Sequence, residues 1–385
     1  MLNRLLKIDA QAHESFFLWG PRQAGKSTLL SSLYPDAMVI DLLEADTFLH
    51  YGTSPHALRQ ELQARQTRPA RIIIDEIQKV PALLDEVHHL IEKERQAFAL
   101  CGSSARKLRR GHANMLGGRA LRFELTGLSG AECGSAWDLT RMLNTGYLPR
   151  HYLNPDRAPS YLRSYISDYL TQEIAAEGLV RNLPTFANFL QIAGLSDGEQ
   201  LNYSTIARDV GVSSPTVKDY FSILSDTLIG YELPAFTRRP KRRIRQAPKF
   251  YFDDVGVVNH LAKRTNLEPR QANFGKAFEN WVFHELHAYN RYSDKWYDLA
   301  YWRLANGTEV DFIVGDMLLA VEAKATALIH GDHLRGLRQL KIDHSEVKTA
   351  CIVCLTATPS ITDDGILILP YREFLSRLWS DQLFA

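Results

Sequence analysis

The sequence predicts a mixed α/β protein in three parts: a parallel-sheet domain, a helical middle part, and a second α/β domain. Three observations predict this class. A glycine-rich loop at residues 20–27 stands between an apolar strand pattern and a helix pattern. Two helical patterns separated by Gly211 lie in the middle of the chain, and the apolar strand patterns at residues 308–314 and 317–324 carry embedded acidic residues.

The glycine-rich loop, called the P-loop below, follows the apolar run at residues 16–19 and leads into the helix pattern at residues 28–33. Its two glycines allow the backbone to curl, so that N–H groups and the helix N-terminus face a phosphate. At this spacing Lys26 is expected to reach the β- and γ-phosphates, and Ser27 to bind Mg²⁺. The pattern therefore predicts ATP and Mg²⁺ as cofactors, with nucleotide contacts from Gly20, Pro21, Arg22, Gln23, Ala24, Gly25, Lys26, Ser27 and Thr28.

A second strand pattern ends in two carboxylates, Asp75 and Glu76. We expect Asp75 to orient the metal ion through water and Glu76 to act as the base that polarises the attacking water. The alternative is an acidic pair at a helix N-terminus, which the helix dipole would also favour. The preceding P-loop favours the catalytic interpretation.

Further polar residues follow the next strands. Ser103 and Ser104 come after the strand pattern at residues 97–101, and each is a candidate γ-phosphate sensor or a helix cap. Arg119 precedes the strand pattern at residues 120–125. As an arginine finger supplied to a neighbouring subunit, Arg119 would stabilise the transferring phosphoryl group, which predicts a homo-oligomer. A solvated arginine after a glycine turn is the alternative.

Length and composition limit the number of domains and the class of protein. With 385 residues and 45% hydrophobic content, the chain is long enough for two or three domains, each with its own core. The net charge of +1 does not identify a partner. We expect a cytoplasmic protein without membrane contact, because no apolar run reaches the length of a membrane span. The predicted domains are residues 1–150, 151–268 and 269–385.

The four cysteines do not form a disulfide pattern. Cys351 and Cys354 have a spacing that is also seen in metal and redox sites, but they lie within an apolar strand pattern. Because an odd offset points two side chains to opposite faces of a strand, we expect buried thiols.

The middle part has the pattern of a helix-turn-helix. Residues 201–210 form one helical pattern, and Ser213 or Ser214 can cap a second helix that ends near Leu224. Residues that recur at helical spacing predict the buried face of this second helix: Val217, Tyr220, Phe221 and Leu224.

Strand patterns at residues 228–233 and 249–252 flank a basic loop at residues 238–245, in which six of eight residues are Lys or Arg. A helix-turn-helix with a basic hairpin predicts phosphate contacts and therefore a DNA partner. A winged helix that binds another protein is the alternative.

The third part begins with a helix pattern at residues 274–287, which contains Glu279. Asp311 lies in one strand pattern, while Glu322 and Lys324 share one face of the next. This arrangement resembles the PD-(D/E)xK nuclease-like superfamily. The resemblance implies that Glu279, Asp311 and Glu322 bind a second divalent metal ion, and that Lys324 stabilises the attacked phosphate or orients water. A domain that keeps these acids for DNA binding alone is the alternative.

Several motifs of the chain together resemble a known group: the P-loop, residues 72–76, residues 102–104, Gly118-Arg119, the Gly-Tyr-Leu-Pro segment at residues 146–149 and the downstream helix-turn-helix. The chain is similar over nearly its full length to the prokaryotic AAA-type ATPases that carry a DUF4143 domain. The resemblance implies a P-loop AAA-type ATPase domain, a helical and winged-helix domain, and a PD-(D/E)xK nuclease-like α/β domain.

These observations predict a Mg²⁺-dependent ATPase that assembles as an oligomer and binds or remodels DNA, including branched or junction DNA, with metal-dependent nuclease chemistry in its last domain. The alternative is an ATP-dependent switch in signalling or defence whose winged helix contacts a protein. A DNA-binding regulator with a vestigial P-loop conflicts with the presence of Lys26, Ser27, Asp75 and Glu76.

Overall fold

The computed structural model describes residues 3–103, 116–170, 180, 182–237 and 246–384. Ser104 and the basic loop at residues 238–245, both singled out in the sequence, lie outside the described residues. The chain divides into two compact units. The N-terminal unit comprises Arg4–Gly127 and Asp226–Leu228, and the C-terminal unit comprises Leu128–Ser225 and Ile229–Ala385 together with Met1–Asn3. The predicted three-domain division stays a prediction.

In the described part of the N-terminal unit, five strands form a parallel sheet in the order β2-β3-β4-β1-β5. Every residue of β1 and β4 is buried, as expected for inner strands of a parallel sheet that is covered on both faces. The residues that follow β1, β3 and β4 meet at the carboxyl edge of this sheet. The strands are β1 (Ser15–Trp19), β2 (Met38–Asp41), β3 (Arg71–Asp75), β4 (Ala97–Gly102) and β5 (Ala120–Glu124).

Helices pack on this sheet through apolar side chains at helical spacing. Leu83, Val87 and Leu90 of one helix share a core with Phe17 and Ile74 of the strands. The helices are α1 (Lys26–Leu33), α2 (Ala45–Thr53), α3 (Ala57–Ala64) and α4 (Leu83–Glu94), with 3-10 turns at Ile77–Lys79 and Leu116–Gly118.

The C-terminal unit begins with a helical region. Its helices are α5 (Leu139–Thr145), α6 (Pro149–Leu153), α7 (Ala158–Ser164), α8 (Leu183–Leu195), α9 (Tyr203–Val210), α10 (Ser214–Asp226) and α11 (Val255–Leu261), with a π-helical segment at Tyr165–Leu170 and 3-10 turns at Ala131–Ala136 and Pro155–Arg157. Two strands, β6 (Gly230–Leu233) and β7 (Lys249–Phe252), pair antiparallel.

The predicted helix-turn-helix is confirmed as α9 and α10. Gly211 ends α9 with a φ of 79°, a left-handed conformation that favours glycine. The Ser213 hydroxyl accepts a hydrogen bond from the Thr216 N–H at 3.3 Å, so Ser213 caps α10. The four residues predicted for the inner face of α10 are all buried: Val217, Tyr220, Phe221 and Leu224.

A second sheet follows in the order β12-β13-β11-β10-β9-β8. Strand β10 pairs antiparallel with β9 and parallel with β11. Long helix α12 packs in one core with this sheet, and α13 packs in another. The elements are β8 (Leu299–Arg303), β9 (Glu309–Val314), β10 (Leu319–Lys324), β11 (Thr349–Cys354), β12 (Ser360–Ile361), β13 (Leu367–Pro370), α12 (Ala272–Tyr292), a 3-10 turn at Gly331–Leu334, α13 (Arg335–Asp343) and α14 (Tyr371–Trp379).

The helix pattern at residues 274–287 and the strand patterns at residues 308–314 and 317–324 are confirmed as α12, β9 and β10. Cys351 and Cys354 are both buried, free thiols in β11, as the strand pattern predicts. In the described part of the chain, every helix is too short or too polar to cross a bilayer.

The Gly-Tyr-Leu-Pro segment at residues 146–149 is fastened to the N-terminus of α11 by one carboxylate. Asp254 accepts hydrogen bonds from the N–H groups of Tyr147 (2.8 Å) and Leu148 (2.9 Å), and from that of Gly256 (2.7 Å). Gly146 has a φ of 88°, and a Cβ there would lie 2.1 Å from Asp254 Oδ1. Only glycine fits this position, so the segment has a clear structural role within the C-terminal unit.

Candidate nucleotide site and acidic cluster

The P-loop of the N-terminal unit connects β1 to α1 through a tight curl. Gly25 has a φ of 95° and Gln23 a φ of 64°, both in the left-handed region. Gly20 passes so close to the end of β5 that a Cβ there would lie 2.2 Å from the Leu125 carbonyl oxygen. The two glycines thus have distinct roles: Gly25 allows the turn, and Gly20 allows the close approach of two backbones.

Arg4 holds the P-loop in place, a role that sequence reasoning missed. Its guanidinium donates to the carbonyl oxygen of Ala24 at 2.7 Å and to that of Thr126 at 2.7 Å. One side chain therefore ties the P-loop to the segment after β5. No local pattern around Arg4 predicts these hydrogen bonds, because both partners are distant in sequence.

Lys26 lies inside the P-loop, with 6% of the residue exposed. Its Nζ donates to the carbonyl oxygens of Gly20 (2.7 Å) and Pro21 (3.0 Å). Burial lowers the pKa of Lys26, although the nearby Glu76 carboxylate acts in the opposite direction. The ammonium thus sits among carbonyl oxygens at the start of α1, where a phosphate could replace them as its partner.

Ser27 and Asp75 meet at the carboxyl edge of the sheet. The Ser27 hydroxyl donates to Asp75 Oδ2 at 2.6 Å, which brings the first residues of α1 to the end of β3. Asp75 Oδ1 accepts from the Glu76 N–H at 2.9 Å and from the Cys101 thiol at 2.8 Å. Burial, followed by the Asp75 carboxylate, raises the pKa of Cys101 well above its usual value, so the thiol stays protonated as a donor.

Glu76 is held by two neighbours. Its backbone has a φ of 55°, an uncommon conformation for a residue other than glycine. The Gln78 amide donates to Glu76 Oε2 and, at 3.1 Å, to the Ser103 hydroxyl, which itself lies 3.3 Å from Glu76 Oε2. Gly102 makes room for this group, because a Cβ there would lie 2.1 Å from Gln78 Oε1.

These side chains fit ATP and Mg²⁺. The P-loop N–H groups and the N-terminus of α1 suit an anionic phosphate, and the hydroxyl–carboxylate pair of Ser27 and Asp75 supplies the oxygen ligands that Mg²⁺ prefers. Glu76 lies next to this pair with its carboxylate fixed in place. Of the predicted contacts, Pro21 and Ala24 are buried within the loop, and Gln23, Ser27 and Thr28 are exposed.

Arg119 lies just before β5 and is paired within the N-terminal unit. Its guanidinium donates to the carboxylate of Glu92 on α4, and both side chains are substantially exposed. The hydrogen bond from Arg119 lowers the pKa of Glu92. The arginine-finger role of Arg119 stays a prediction. So does the sensor role of Ser103, although Ser103 contacts Gln78 and Glu76.

In the C-terminal unit, the structure brings the predicted acids together around lysines. Lys324 Nζ lies 2.6 Å from Glu322 Oε1 and 3.8 Å from Asp311 Oδ2. Asp311 Oδ2 also accepts from the Ala323 N–H at 2.9 Å. Burial, followed by the charge of Asp311, raises the pKa of Glu322 to about 8. The period-two spacing of Glu322 and Lys324 thus did place them on one face.

A second lysine lies in this group, and sequence reasoning missed it. Lys249 Nζ lies 3.3 Å from Glu279 Oε1, 3.6 Å from Glu309 Oε1 and 3.8 Å from Asp311 Oδ1. Burial alone would lower the pKa of Lys249, but Glu279, Asp311 and Glu309 outweigh it and raise the pKa. We call Glu279, Glu309, Asp311 and Glu322, with Lys249 and Lys324, the acidic cluster.

The acidic cluster does not fit a divalent metal ion in this arrangement. Carboxylate ligands approach such an ion to about 2.0–2.6 Å and must converge on one point. Instead, Lys249 contacts both Glu279 and Asp311, and Lys324 contacts both Asp311 and Glu322. Within the described ranges, no three or more His, Cys, Asp or Glu side chains are grouped so that they could hold a metal. Metal binding by these acids stays a prediction.

Comparison with known families divides the chain into three matched regions. Residues 12–134 match a family described as an AAA domain, which covers the P-loop and the strands around it. Residues 136–268 match a domain of unknown function, DUF8612, and residues 274–374 match another, DUF4143.

Two curated relatives are uncharacterized proteins of Mycobacterium bovis and Mycobacterium tuberculosis. Each is 27% identical over 305 residues, which is 77% of this chain and 66% of the relative. The matched region thus spans just under two thirds of the length of these relatives.

Among solved structures, the chain matches the Aeropyrum pernix ORC1 protein in complex with DNA and the Aeropyrum pernix ORC2 protein in its ADP form. The first match has 12% identity, a TM-score of 0.28, and covers 65% of this chain and 86% of the other. The second has 13% identity, a TM-score of 0.33, and covers 66% and 89%. Both TM-scores are below 0.5.

The matched regions agree with the geometry of the nucleotide site. Residues 12–134 carry the P-loop, the sheet order and the strand-end acids described above. Residues 12–134 thus match an AAA domain and residues 274–374 match DUF4143, the combination that the sequence predicts.

Proposed function

We propose that this protein is a Mg²⁺-dependent ATPase that binds DNA and uses hydrolysis to remodel it, acting as a homo-oligomer. The observation that supports hydrolysis is the meeting of Ser27 and Asp75 at 2.6 Å, with Glu76 beside them. A carboxylate held next to the metal-binding pair is placed to act as a general base toward water.

In this proposal each group has one task. The P-loop N–H groups and the N-terminus of α1 bind the phosphates, and Lys26 exchanges its carbonyl partners for phosphate oxygens. Ser27 and Asp75 hold Mg²⁺, which when bound neutralises charge on the β- and γ-phosphate oxygens. Glu76 accepts the proton of the attacking water, and Gln78 and Ser103 keep its carboxylate in place.

The support for DNA comes from the helix-turn-helix. A second helix of this kind commonly enters the major groove, and α10 follows α9 through the turn at Gly211. Lys218 and Asp219 of α10 are exposed, and Lys218 Nζ lies 5.1 Å from the centre of the Tyr203 ring. This surface can reach a phosphate or a base edge. The basic loop at residues 238–245 adds an argument from sequence alone.

The test is steady-state ATP hydrolysis with and without single-stranded, duplex and four-way-junction DNA, in Mg²⁺ at moderate salt. We expect one DNA form to stimulate hydrolysis. Lys26→Ala should abolish both the basal and the stimulated rate, whereas Lys7→Ala, an exposed lysine of the same unit, should change neither.

A second pair of variants tests the DNA surface. Lys218→Ala should weaken stimulation by DNA without changing the basal rate, and Lys263→Ala, an exposed lysine elsewhere in the C-terminal unit, should leave stimulation unchanged. Hydrolysis that depends on Lys26 but is indifferent to every DNA form would instead favour the nucleotide switch whose winged helix contacts a protein.

Nuclease activity is not needed for this proposal. The predicted residues Glu279, Asp311, Glu322 and Lys324 belong to one cluster, which is the feature in its favour. The lysines between the acids are the feature against it.

A further inference from the structure

We propose that Lys249 is a built-in cation of the acidic cluster: its ammonium group takes the place of a divalent metal ion beside Glu279, Glu309 and Asp311. The cluster then binds no catalytic metal while Lys249 is in place, and these acids do not support metal-dependent cleavage.

The first support is the position of the ammonium group. The Lys249 side chain is 4% exposed, and its Nζ lies within 3.8 Å of three carboxylates. A buried ammonium without such partners would be strongly destabilising. Tyr251 donates a further hydrogen bond to Glu279 Oε1 at 2.6 Å, so the carboxylate that lies closest to Lys249 is itself fixed.

The second support is that Lys249 is carried by regular structure. It is the first residue of β7, pairs with Leu233 of β6, and forms a bridge with Gln200. The next three residues of β7, from Phe250 to Phe252, are buried. The backbone that carries this ammonium is therefore held by strand pairing and by a buried core.

The third support is the charge balance. Four carboxylates of the cluster face Lys249, Lys324 and Arg303, and Arg303 Nη1 donates to Glu309 Oε2 at 2.7 Å. The fourth carboxylate, Glu322, has one buried oxygen without a hydrogen-bond partner in the described chain. Little negative charge is left to attract a divalent ion, because most of it is already neutralised.

The experiment is a Mn²⁺ titration of the full chain, followed by the electron paramagnetic resonance signal of free Mn²⁺. Every protein carries Asp75→Asn, which removes the expected metal ligand of the P-loop. With Lys249 present, we expect no Mn²⁺ site that depends on the cluster, up to about 1 mM, the weak end of carboxylate sites in proteins.

Lys249→Met should gain one Mn²⁺ site per chain, and adding Asp311→Asn should remove it. Lys276→Met is the matched control, because Lys276 is an exposed lysine of α12 that pairs with Glu199 outside the cluster, and this variant should gain no site. If Lys249→Met is unstable, the proposal predicts that added Mn²⁺ raises the unfolding temperature of this variant.

Two results would overturn the proposal. One is a Mn²⁺ site that is present in the protein with Lys249 and disappears when Asp311→Asn is introduced. This comparison does not require the Lys249→Met variant to fold. The other is a folded Lys249→Met protein that gains no site. Neither result depends on ATP hydrolysis, so they leave the proposed function untouched.

Discussion

Gln78 holds Glu76: the side-chain amide of Gln78 donates a hydrogen bond to Glu76 Oε2 within the N-terminal unit. Both residues are buried, and the same amide reaches the Ser103 hydroxyl at 3.1 Å. Gln78 therefore positions the expected catalytic base without being a reacting group.

Gln78→Leu should lower kcat for ATP hydrolysis about tenfold with little change in KM, because a misplaced general base forfeits part of its 10²–10⁴-fold contribution. The measurement is steady-state kinetics. Gln63→Ala removes a glutamine–glutamate hydrogen bond on the exposed surface of the same unit and should leave kcat unchanged. An unaltered kcat in Gln78→Leu would mean that Glu76 needs no such support.

Arg119 is expected to act on the nucleotide of a neighbouring subunit, after leaving its partner Glu92. Arg119→Ala and Lys26→Ala should each lose ATP hydrolysis by about a hundredfold or more. Mixing the two should restore part of the activity, because Lys26→Ala subunits supply the arginine and Arg119→Ala subunits supply an intact P-loop. Glu92→Gln should remain active. Two inactive variants that stay inactive when mixed would rule out a finger in trans.

His151 should make the protein less stable at acidic pH. The residue is fully buried on α6, and neither ring nitrogen has a hydrogen-bond partner in the described chain. Burial lowers the pKa of His151 in the folded state, although Asp254 opposes the shift. Its contribution to stability is therefore complete above the unfolded pKa of about 6.5 and is lost as the pH falls toward the folded value.

The free energy of unfolding should thus decrease below pH 6.5, by at most about 1.4 kcal/mol per pH unit from this group. His151→Phe should flatten that decrease in denaturation curves recorded from pH 8 to pH 5, a range that brackets the titration of histidine. His89→Phe, at an exposed position, should keep the wild-type slope. Equal slopes in wild type and His151→Phe would show that His151 is not the group that titrates.

Gly146→Ala should destabilise the C-terminal unit by about 3 kcal/mol or more, since it combines backbone strain with a clash. The added Cβ would lie 2.1 Å from Asp254 Oδ1. Gly211→Ala is the matched control: its φ of 79° is similar, but no atom lies within 4 Å of the added Cβ. That variant should lose only about 1 kcal/mol.

Urea denaturation followed by tryptophan fluorescence measures both glycine variants, because five of the six tryptophans belong to the C-terminal unit. Equal losses in the two variants would mean that the contact with Asp254 adds nothing to the strain.

Local patterns predicted much of the fold and of the nucleotide site. Strand, glycine turn and helix follow each other within the P-loop, and Asp75 and Glu76 come directly after a buried strand. Such features depend on neighbouring residues and on the periodicity of apolar side chains, so they can be read without the tertiary structure. The same holds for α9, α10 and the alternation of Glu322 with Lys324.

Positioning residues without a pattern of their own could not be predicted in this way. Arg4 reaches Ala24 and Thr126, and Gln78 reaches Ser103, across gaps that only the packing of the sheet closes. An isolated arginine or glutamine carries no signal of its eventual partner.

The acidic cluster shows most clearly which features the sequence predicts and which features only the tertiary structure decides. The sequence by itself determined that Glu279, Asp311, Glu322 and Lys324 would be carried by one helix and two strands. Only the tertiary structure decided that Lys249, from a different strand pair, lies among these acids. The reason is physical: periodicity tells which face of an element a side chain occupies, whereas the charge that finally neutralises a buried carboxylate depends on which distant elements pack against it.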